Sequence, residues 1–434
     1  MKCHAHGTFG AASDRNAKRP LLRSSGAWSR VGPSLRVRFA NGLLAIAAIV
    51  LTYLGAEATF SLVGLRYVPL RLQGDLPADI RVFAQSSKAG VVPRDAVLLL
   101  GDSYAQGYGD WLLEADPNRN GPFHSAHIIH TLSGRDVVTL GASGAGSAEG
   151  LAALPAIAYA RAKDAWYLRL PLPHLAVVYF YEGNDLNDNM VFLERRVEKS
   201  GVGDVVDRID RSIAAYPAAL SVDMDAGQHF PLLRFSYRMA RSIYAELTAT
   251  AAQGPGPKNA ASEAPPDDPN VVEVGGEAVE LPANLQSPAL ELTRPEIERA
   301  VLVFERALVF LRNLLPGAPV LVAYLPSPLS SYRLLGPEVS IQRYTTDGAA
   351  RYPKQRVAEY SNAICVLIRA AAIGQKAGFL DLRPAIRAGS VRDLLHGPRD
   401  FKHFNRKGME VLGQAVAERL NRPLTQGACS QSTD

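Results

Sequence analysis

Val97 to Trp111 reads VLLLGDSYAQGYGDW, an apolar run that ends abruptly at Gly101, Asp102 and Ser103. Four consecutive aliphatic residues closed by a glycine are typical of a buried strand in a parallel sheet. In open parallel sheets, ligands bind beyond the carboxyl ends of the strands. Ser103 therefore stands where such a sheet does its chemistry, on a tight turn whose small neighbours leave the hydroxyl accessible as a nucleophile.

Further short apolar runs follow, and amphipathic helical patterns separate them. The expected strands are Ala96 to Leu100, Asp136 to Leu140, Leu175 to Tyr181, Pro319 to Leu325 and Gly378 to Leu382, and the expected helices are Ala148 to Ala165, Glu296 to Leu315, Lys354 to Lys376 and Asn405 to Leu420. This alternation predicts an α/β domain in which helices cover both faces of a parallel sheet.

One region, residues 186–294, interrupts the alternation and is predicted to be an insertion. Its inner part, residues 248–288, is rich in Ala, Gly, Pro, Asp and Glu and poor in large apolar residues, which predicts a disordered loop. Before that part, His229 to Leu247 carries an aromatic and aliphatic stripe that predicts a helix. Such a helix either packs in the core or forms a lid or wall of a substrate groove.

The chain has 434 residues, 47% of them hydrophobic, and a formal net charge of +5. The excess positive charge lies in the first 40 residues, and the remainder is near neutral, so the charge does not indicate a nucleic-acid-binding surface. The basic residues of this tail, which face only Asp14, are Lys2, Arg15, Lys18, Arg19, Arg23, Arg30, Arg36 and Arg38.

Residues 39–65 are apolar over a length that predicts a transmembrane anchor. The positive-inside rule places residues 1–38 in the cytoplasm and the rest outside the membrane, in the periplasm, with residues 66–94 as a linker and residues 95–425 as the main domain. Two alternatives remain: a signal peptide cleaved after the small-x-small sequence that ends at Ala58, and a buried helix of a soluble protein. Glu57 is unusual in a membrane span, but it falls near the outer end.

The three cysteines, Cys3, Cys365 and Cys429, have no spacing typical of a metal site. Cys365 lies in an apolar helical pattern and Cys429 lies near the C-terminus. We predict a buried free thiol at Cys365 and a tail cysteine at Cys429, with a bond between the two as the alternative in an oxidising compartment.

Three further stretches carry reactive residue types at expected strand ends. Leu140 to Ser147, LGASGAGS, offers backbone N–H groups to an oxyanion or a phosphate, or forms a plain tight turn. Asn184 follows the most apolar strand and can donate its amide to a developing negative charge, or cap the next helix. Asp400 and His403 are three residues apart, so the carboxylate can bind one imidazole nitrogen and leave the other as a base. Asn405 can cap the last helix.

Together, these motifs resemble those of a known family. GDSY at Gly101, GASG ending at Gly144, GND at Gly183 and DxxHxN at Asp400 stand in the order of blocks I, II, III and V of the SGNH (GDSL-like) hydrolases. The resemblance covers residues 95–185 and 319–420 and leaves out the tail, the anchor and the insertion. It implies a three-layer α/β/α, flavodoxin-like fold. The chain departs from many members at Glu182, where they have glycine, and a structural hydrogen-bond acceptor is the expected role there.

The same resemblance implies a role for each site residue. Ser103 would be the nucleophile, His403 the general base and acid, and Asp400 the residue that orients the imidazole. The backbone N–H groups of Ser103 and Gly144 and the side chain of Asn184 would form the oxyanion hole. The chemistry calls for no metal and no organic cofactor.

The resemblance implies a serine esterase that works through an acyl-serine intermediate on a small-molecule or glycan ester outside the cytoplasm. One alternative is an O-acetyltransferase or deacetylase of an exported polysaccharide, because the same acyl-enzyme serves both reactions. Another is a glycan-binding module that retains a silent triad. The expected partners are the ester substrate and, through the N-terminal helix, the membrane, with no nucleic acid.

Overall fold

The computed structural model describes residues 33–68, 72, 76, 78–109, 124–162, 168–200, 203–220, 230–252, 269–344 and 349–431. The chain divides into two compact units, Met1–Gly55 and Ala56–Asp434. The basic tail up to residue 32, Trp111, and residues 253–268 of the predicted disordered loop lie outside the described residues.

A parallel sheet forms the centre of the second unit. Strands β2, β1, β3, β6 and β10 lie side by side in that order, and every neighbouring pair is parallel. These are the five strands expected from the apolar runs, so the prediction of a parallel α/β sheet is confirmed. The ten strands within the described residues are β1 Val97–Leu100, β2 Val137–Thr139, β3 Leu175–Tyr181, β4 Asn270–Val274, β5 Glu277–Leu281, β6 Val320–Leu325, β7 Arg333–Leu334, β8 Glu338–Gln342, β9 Ala349–Pro353 and β10 Gly378–Asp381.

Helices cover both faces of this sheet. Alternate residues of each buried strand point to opposite faces, so Leu98 contributes to one apolar core and Leu99 to the other. The α-helices are α1 Pro33–Leu62, α2 Ala78–Ala84, α3 Ser103–Gln106, α4 Ser125–Ser133, α5 Leu154–Ala162, α6 Asp185–Phe192, α7 Val205–Leu220, α8 Pro231–Ala252, α9 Arg294–Leu314, α10 Pro328–Ser331, α11 Gln355–Gly374, α12 Arg383–Ser390 and α13 Arg406–Leu420. Helices α9 and α11 contribute to the core of Leu98, and helices α4 and α13 contribute to the core of Leu99.

The strand order changes direction between β1 and β3, which makes a topological switch point at the carboxyl end of the sheet. The chain passes from β1 outward to β2 and then returns beyond β1 to β3. The connections after β1 and β3 therefore diverge to opposite sides, and ligands bind at such a switch point in open α/β sheets. Ser103 follows β1 directly, and Asn184 follows β3.

The predicted disorder of residues 248–288 is wrong at both ends, because residues 248–252 belong to α8 and β4 and β5 form an antiparallel hairpin in the second half. Gly275 and Gly276, both with positive φ, make the two-residue turn, and Val272 and Leu281 are buried. Glycine pairs favour this turn because they adopt positive φ without strain. The hairpin also pairs with β7, so it is part of the domain.

The first half of the insertion is helical. Helices α6, α7 and α8 occupy much of residues 185–252. The helix expected from His229 to Leu247 is present as α8, but its stripe is divided. Phe235 is buried and stacks on Phe60, whereas Tyr237 and Tyr244 are exposed. Phe235 is therefore a core residue rather than part of a lid.

The N-terminal helix α1 contains a segment, Val37–Leu62, that is long and apolar enough to cross a membrane, with a mean hydropathy of 1.9. Helix α11 passes the same test, but it is a core helix with many buried side chains. Glu57, the unusual residue of the span, is 4% exposed and accepts hydrogen bonds from the backbone N–H groups of Leu232 and Leu233. The N-terminus of α8 thus stabilises this carboxylate.

The linker predicted over residues 66–94 is instead partly built into the domain. Helix α2 lies in this segment, and Leu76, Ile80 and Phe83 are fully buried in the core that contains Leu98. Lys88 is 2% exposed and donates to the carbonyl of Phe83. Leu76, Ile80 and Phe83 have the spacing of a helix face, but the helix itself, Ala78–Ala84, has only seven residues and is too short to stand out in the sequence as a periodic element.

The prediction of two unpaired cysteines is also wrong, because Cys365 and Cys429 form a disulfide with their Cα atoms 6.1 Å apart. The C-terminal segment runs back beside β10, where Gly427 donates its N–H to the carbonyl of Phe379. This return brings Cys429 against α11, within the distance that a disulfide requires.

Candidate active site

The turn after β1 fixes Ser103 at the start of a short helix. Asp102 caps α3 by accepting a hydrogen bond from the Tyr104 N–H at 2.9 Å. Gly101 has φ of +138°, and a Cβ there would lie 2.6 Å from the carbonyl oxygen of Tyr179. Only glycine fits both conditions, so a glycine is needed at position 101 to turn the chain here. Ser103 itself is 2% exposed.

Ser103, His403 and Asp400 form one hydrogen-bonded line. His403 Nε2 lies 2.8 Å from Ser103 Oγ, and His403 Nδ1 lies 2.6 Å from Asp400 Oδ2. An ionised carboxylate only accepts hydrogen bonds, so Nδ1 carries the proton and Nε2 accepts from the serine hydroxyl. Serine and histidine are 300 residues apart in sequence, and the fold brings together the three residues that the sequence pointed to.

Asp400 is held in its charged form. Burial alone would raise the pKa of this carboxyl, but the hydrogen bond and charge of His403 and the backbone N–H groups of Lys402 and His403 keep the pKa below its ordinary value. The carboxylate can therefore orient the imidazole and stabilise it when it takes up a proton.

A second carboxylate lies close to the serine. Asp102 Oδ2 is 3.3 Å from Ser103 Oγ, whereas His403 Nε2 is 2.8 Å away. The shorter contact is the stronger hydrogen bond, which favours His403 as the base. Burial raises the pKa of Asp102, while the Tyr104 N–H and the charge of His403 lower it. Asp102 serves to cap the turn, and sequence reasoning gave it no role of its own.

Two groups expected to bind an oxyanion lie beside this line. The Asn184 side chain lies near Asp102, next to the nucleophile, and lowers the pKa of that carboxyl. Its Oδ1 is buried and has no hydrogen-bond partner among the described residues. The loop of Gly144 follows β2 and packs on α3, where the Ser143 N–H donates to Gln106 Oε1 at 2.8 Å. Gly144 has φ of +72°, a conformation that favours glycine.

The loop that carries Asp400 and His403 is fixed at its far end by a helix cap. Asn405 accepts hydrogen bonds from the N–H groups of Lys407 and Gly408 at 2.9 and 3.2 Å. The cap predicted for Asn405 is confirmed. Helix α13 therefore begins three residues after His403, at Arg406, and holds the histidine at the carboxyl edge of the sheet.

Two buried tyrosines also hold the loop of Asp400 and His403 in place. Sequence reasoning did not identify them. The hydroxyls of Tyr104 and Tyr181 lie 3.0 and 3.2 Å from the carbonyl oxygen of Lys402. Burial raises the pKa of both phenols well above its ordinary value, so both remain donors. The Tyr181 hydroxyl also lies 2.8 Å from Gln286 Oε1, so its single hydrogen is shared between two acceptors, and the shorter contact links the insertion to the site. The only signal in the sequence was position: Tyr104 follows Ser103, and Tyr181 ends the strand that precedes Asn184.

Glu182 has a structural role, as expected for a carboxylate beside a turn. It is fully buried and accepts hydrogen bonds from the Ser327 N–H and hydroxyl and from the hydroxyls of Ser361 and Tyr324. These partners connect the end of β3 to β6 and α11. Glu182 thereby fixes the turn that leads into Asn184.

Comparison with known proteins does not assign the chain to a family. No protein-family model matches the chain, and no curated protein matches it. One solved crystal structure is similar over 75% of this chain and 96% of its own length, with 13% sequence identity and a TM-score of 0.33. A score this low does not indicate a shared fold.

Proposed function

We propose that this chain is a serine esterase of the SGNH (GDSL-like) type. The observation that carries the proposal is the continuous line of hydrogen bonds from Ser103 through His403 to Asp400. This is the arrangement that activates a serine hydroxyl, because the base is in contact with the nucleophile and a carboxylate orients the base. The strand order of the sheet, two, one, three, four, five when its strands are counted along the chain, is that of flavodoxin-like folds and supports the same proposal.

The reaction begins with Ser103. Its Oγ attacks the ester carbonyl carbon while His403 Nε2 takes the hydroxyl proton, and a tetrahedral oxyanion forms. The backbone N–H groups of Ser103 and Gly144 and the amide of Asn184 donate to this oxyanion, and donors of this kind are each worth about 3 to 4 kcal/mol. Asp400 remains charged and stabilises the imidazolium.

In the rest of the reaction His403 first acts as an acid, which releases the alcohol, and then again as a base, which activates water. The tetrahedral intermediate collapses, the bond to the alcohol oxygen breaks, and His403 gives its proton to the departing alcohol. A water molecule then attacks the acyl-serine, and His403 accepts a proton from it. When the second intermediate collapses, the acid is released and Ser103 Oγ recovers the proton.

We expect turnover of p-nitrophenyl acetate by the full-length protein. Replacing Ser103 by alanine removes the nucleophile and should lower the initial rate by about 10³-fold or more. Ser143, an exposed serine in the neighbouring loop, provides the matched control, and Ser143→Ala should stay within about twofold of the wild type. Equal losses in both variants, or no turnover by the wild type, would refute the esterase.

We also propose that α1 spans the cytoplasmic membrane with the catalytic unit outside. The basic tail before α1 supports this orientation through the positive-inside rule, and the disulfide between Cys365 and Cys429 suits an oxidising compartment. In that orientation the enzyme meets esters of the cell envelope.

Cysteine labelling of spheroplasts tests the orientation. Cys3 lies in the tail, and Ser242→Cys introduces a thiol at an exposed position of α8. A membrane-impermeant maleimide should label the variant at residue 242 at once and label Cys3 only after the membrane is permeabilised. Labelling of Cys3 alone in intact spheroplasts would reverse the orientation, and labelling of neither position would place both inside.

A further inference from the structure

A cavity of about 220 Å³ lies beside the proposed oxyanion hole, outside the triad. Gly144 belongs to both, so the cavity adjoins the place where the ester would react. The other lining residues on which the following argument depends are Glu149, Asp188, Arg195, Arg196 and Tyr216.

Both π-helical segments of the described chain border this cavity. Ala148–Ala153 contributes Glu149, and Leu193–Val197 contributes Arg195 and Arg196. π-Helical turns are rare, and they occur frequently at functional sites, where the wider turn redirects side chains. Two such turns facing one cavity indicate that its lining is built for binding.

The lining combines charges of both signs around an aromatic ring. The Tyr216 hydroxyl donates to Glu149 at 2.9 Å, and the guanidinium of Arg196 lies 4.1 Å from the centre of the Tyr216 ring. Arg195 and Arg196 are exposed at the mouth, whereas Glu149 and Asp188 are partly buried. The cavity therefore offers acceptors inside and donors at its rim.

Asp188, in the lining of the cavity, has a carboxyl oxygen that makes no hydrogen bond to the described residues. This oxygen, Oδ2, is buried. Burial, followed by repulsion from Asp102 and Glu149, raises the pKa of this carboxyl to about 8, so it is neutral at pH 7 and can both donate and accept. Gly146 packs directly on it, since a Cβ at this glycine would lie 2.8 Å from Asp188 Cβ. A buried polar atom without a protein partner can bond to a ligand or a water molecule that enters the cavity.

These features select a class of ligand. An anion would meet Glu149, a cation would meet the two arginines, and an acyl chain would leave the polar lining unpaired. A neutral molecule with several hydroxyl groups satisfies donors and acceptors together, and its apolar face can pack on Tyr216. The volume is below the roughly 300 to 1,000 Å³ of pockets for drug-sized ligands, which suits one sugar ring.

We propose that this cavity binds a neutral sugar unit, the alcohol part of the ester on which Ser103 acts. This inference rests on the proposed esterase function. Because the leaving alcohol of hydrolysis is the acceptor in the reverse step, the same cavity would hold the acceptor if the enzyme transfers acyl groups. The acyl part would then lie on the other side of the oxyanion hole, away from Gly146 and Asp188.

Ligand binding to the Ser103→Ala protein tests the cavity without any turnover. The full-length variant is kept in a detergent that contains no sugar, and saturation-transfer difference NMR is recorded with methyl glucoside, methyl galactoside and methyl mannoside. Methyl glucuronide and glucosamine are the anionic and cationic probes. We expect binding of at least one neutral glycoside and weaker binding of both charged probes.

Variants then locate the bound sugar. Arg196→Gln and Tyr216→Ala should each weaken binding about tenfold, whereas Arg241→Gln, at an exposed arginine of α8 outside the cavity, should leave it unchanged. Preference for a charged probe, binding that both cavity variants retain, or no binding of any neutral glycoside would overturn the proposal. Failure of the esterase itself appears separately, as absence of p-nitrophenyl acetate turnover by the wild type.

Discussion

Replacing His403 by alanine is expected to lower kcat for p-nitrophenyl acetate by about 10⁴-fold or more, in line with the loss of a catalytic base in serine hydrolases. Without the imidazole 2.8 Å from its oxygen, the Ser103 hydroxyl keeps its proton and is a poor nucleophile. The effect is measured by steady-state kinetics at pH 7.5 on the purified full-length chain.

A second histidine supplies the control. The His174 side chain is 47% exposed and contacts Asp95, and the residue directly precedes β3, so it lies at the amino end of the sheet rather than the carboxyl end. His174→Ala should retain the wild-type rate within about twofold. A loss of less than tenfold in His403→Ala, with an unchanged melting temperature in both variants, would remove His403 from the proposed mechanism.

Replacing Arg383 by alanine is expected to destabilise the folded unit by about 3 to 5 kcal/mol, because the change leaves a buried carboxylate without its partner. The Arg383 side chain is fully buried and binds both oxygens of Asp381 at 2.9 Å. It also donates to Asn362 and to the carbonyl of Ser430, so it connects β10, α11 and the C-terminal segment. Urea denaturation followed by near-ultraviolet circular dichroism measures the loss.

An exposed ion pair provides the control for the loss of stability expected in Arg383→Ala. Arg299 and Glu198 lie 2.7 Å apart, but their side chains are 46% and 48% exposed. Solvent screens such a pair, and Arg299→Ala should cost about 1 kcal/mol or less. Similar denaturation midpoints for Arg299→Ala and Arg383→Ala would show that the buried pair of Arg383 and Asp381 does not stabilise the packing of the C-terminal segment on the sheet.

The sheet could be predicted because its strands depend on local sequence, whereas the roles of Ser103, His403 and Asp400 were predicted from motifs that resemble those of a known family. A buried parallel strand needs a continuous aliphatic run, as in Val97–Leu100 and Leu175–Tyr181, and the residues after the run must lie at one edge. Parallel strands then bring Ser103 and Asn184 together whatever separates them in sequence. The alternation of strands and helices carries the same information at the scale of the domain.

The hairpin of β4 and β5 was missed because residues 248–288 were interpreted from their overall composition alone. Residues 248–288 are poor in large apolar residues on average, yet Asn270–Val274 contains three valines and is followed directly by Gly275 and Gly276. That pair is a strong hairpin signal when strands flank it. An average over 41 residues hides two strands of five residues each.

The contacts that support the site could not be read from the sequence, since they join distant segments. Tyr104 and Tyr181 meet at the Lys402 carbonyl, and Glu182 collects donors from Ser327 and other residues far along the chain. The disulfide likewise depends on the return of the C-terminal segment beside β10. Pairings of this kind follow from tertiary packing, which overrides local propensity.

The most direct test of the active site is covalent labelling by a fluorophosphonate, followed by mass spectrometry of the proteolysed full-length chain. The reagent reacts only with an activated serine, because the attack requires a base and an oxyanion hole. We expect one adduct, on the peptide that contains Ser103, and its loss in Ser103→Ala and in His403→Ala. An adduct on Ser143 or another serine, or an unlabelled wild-type chain, would contradict the assignment of Ser103, His403 and Asp400 as the catalytic residues.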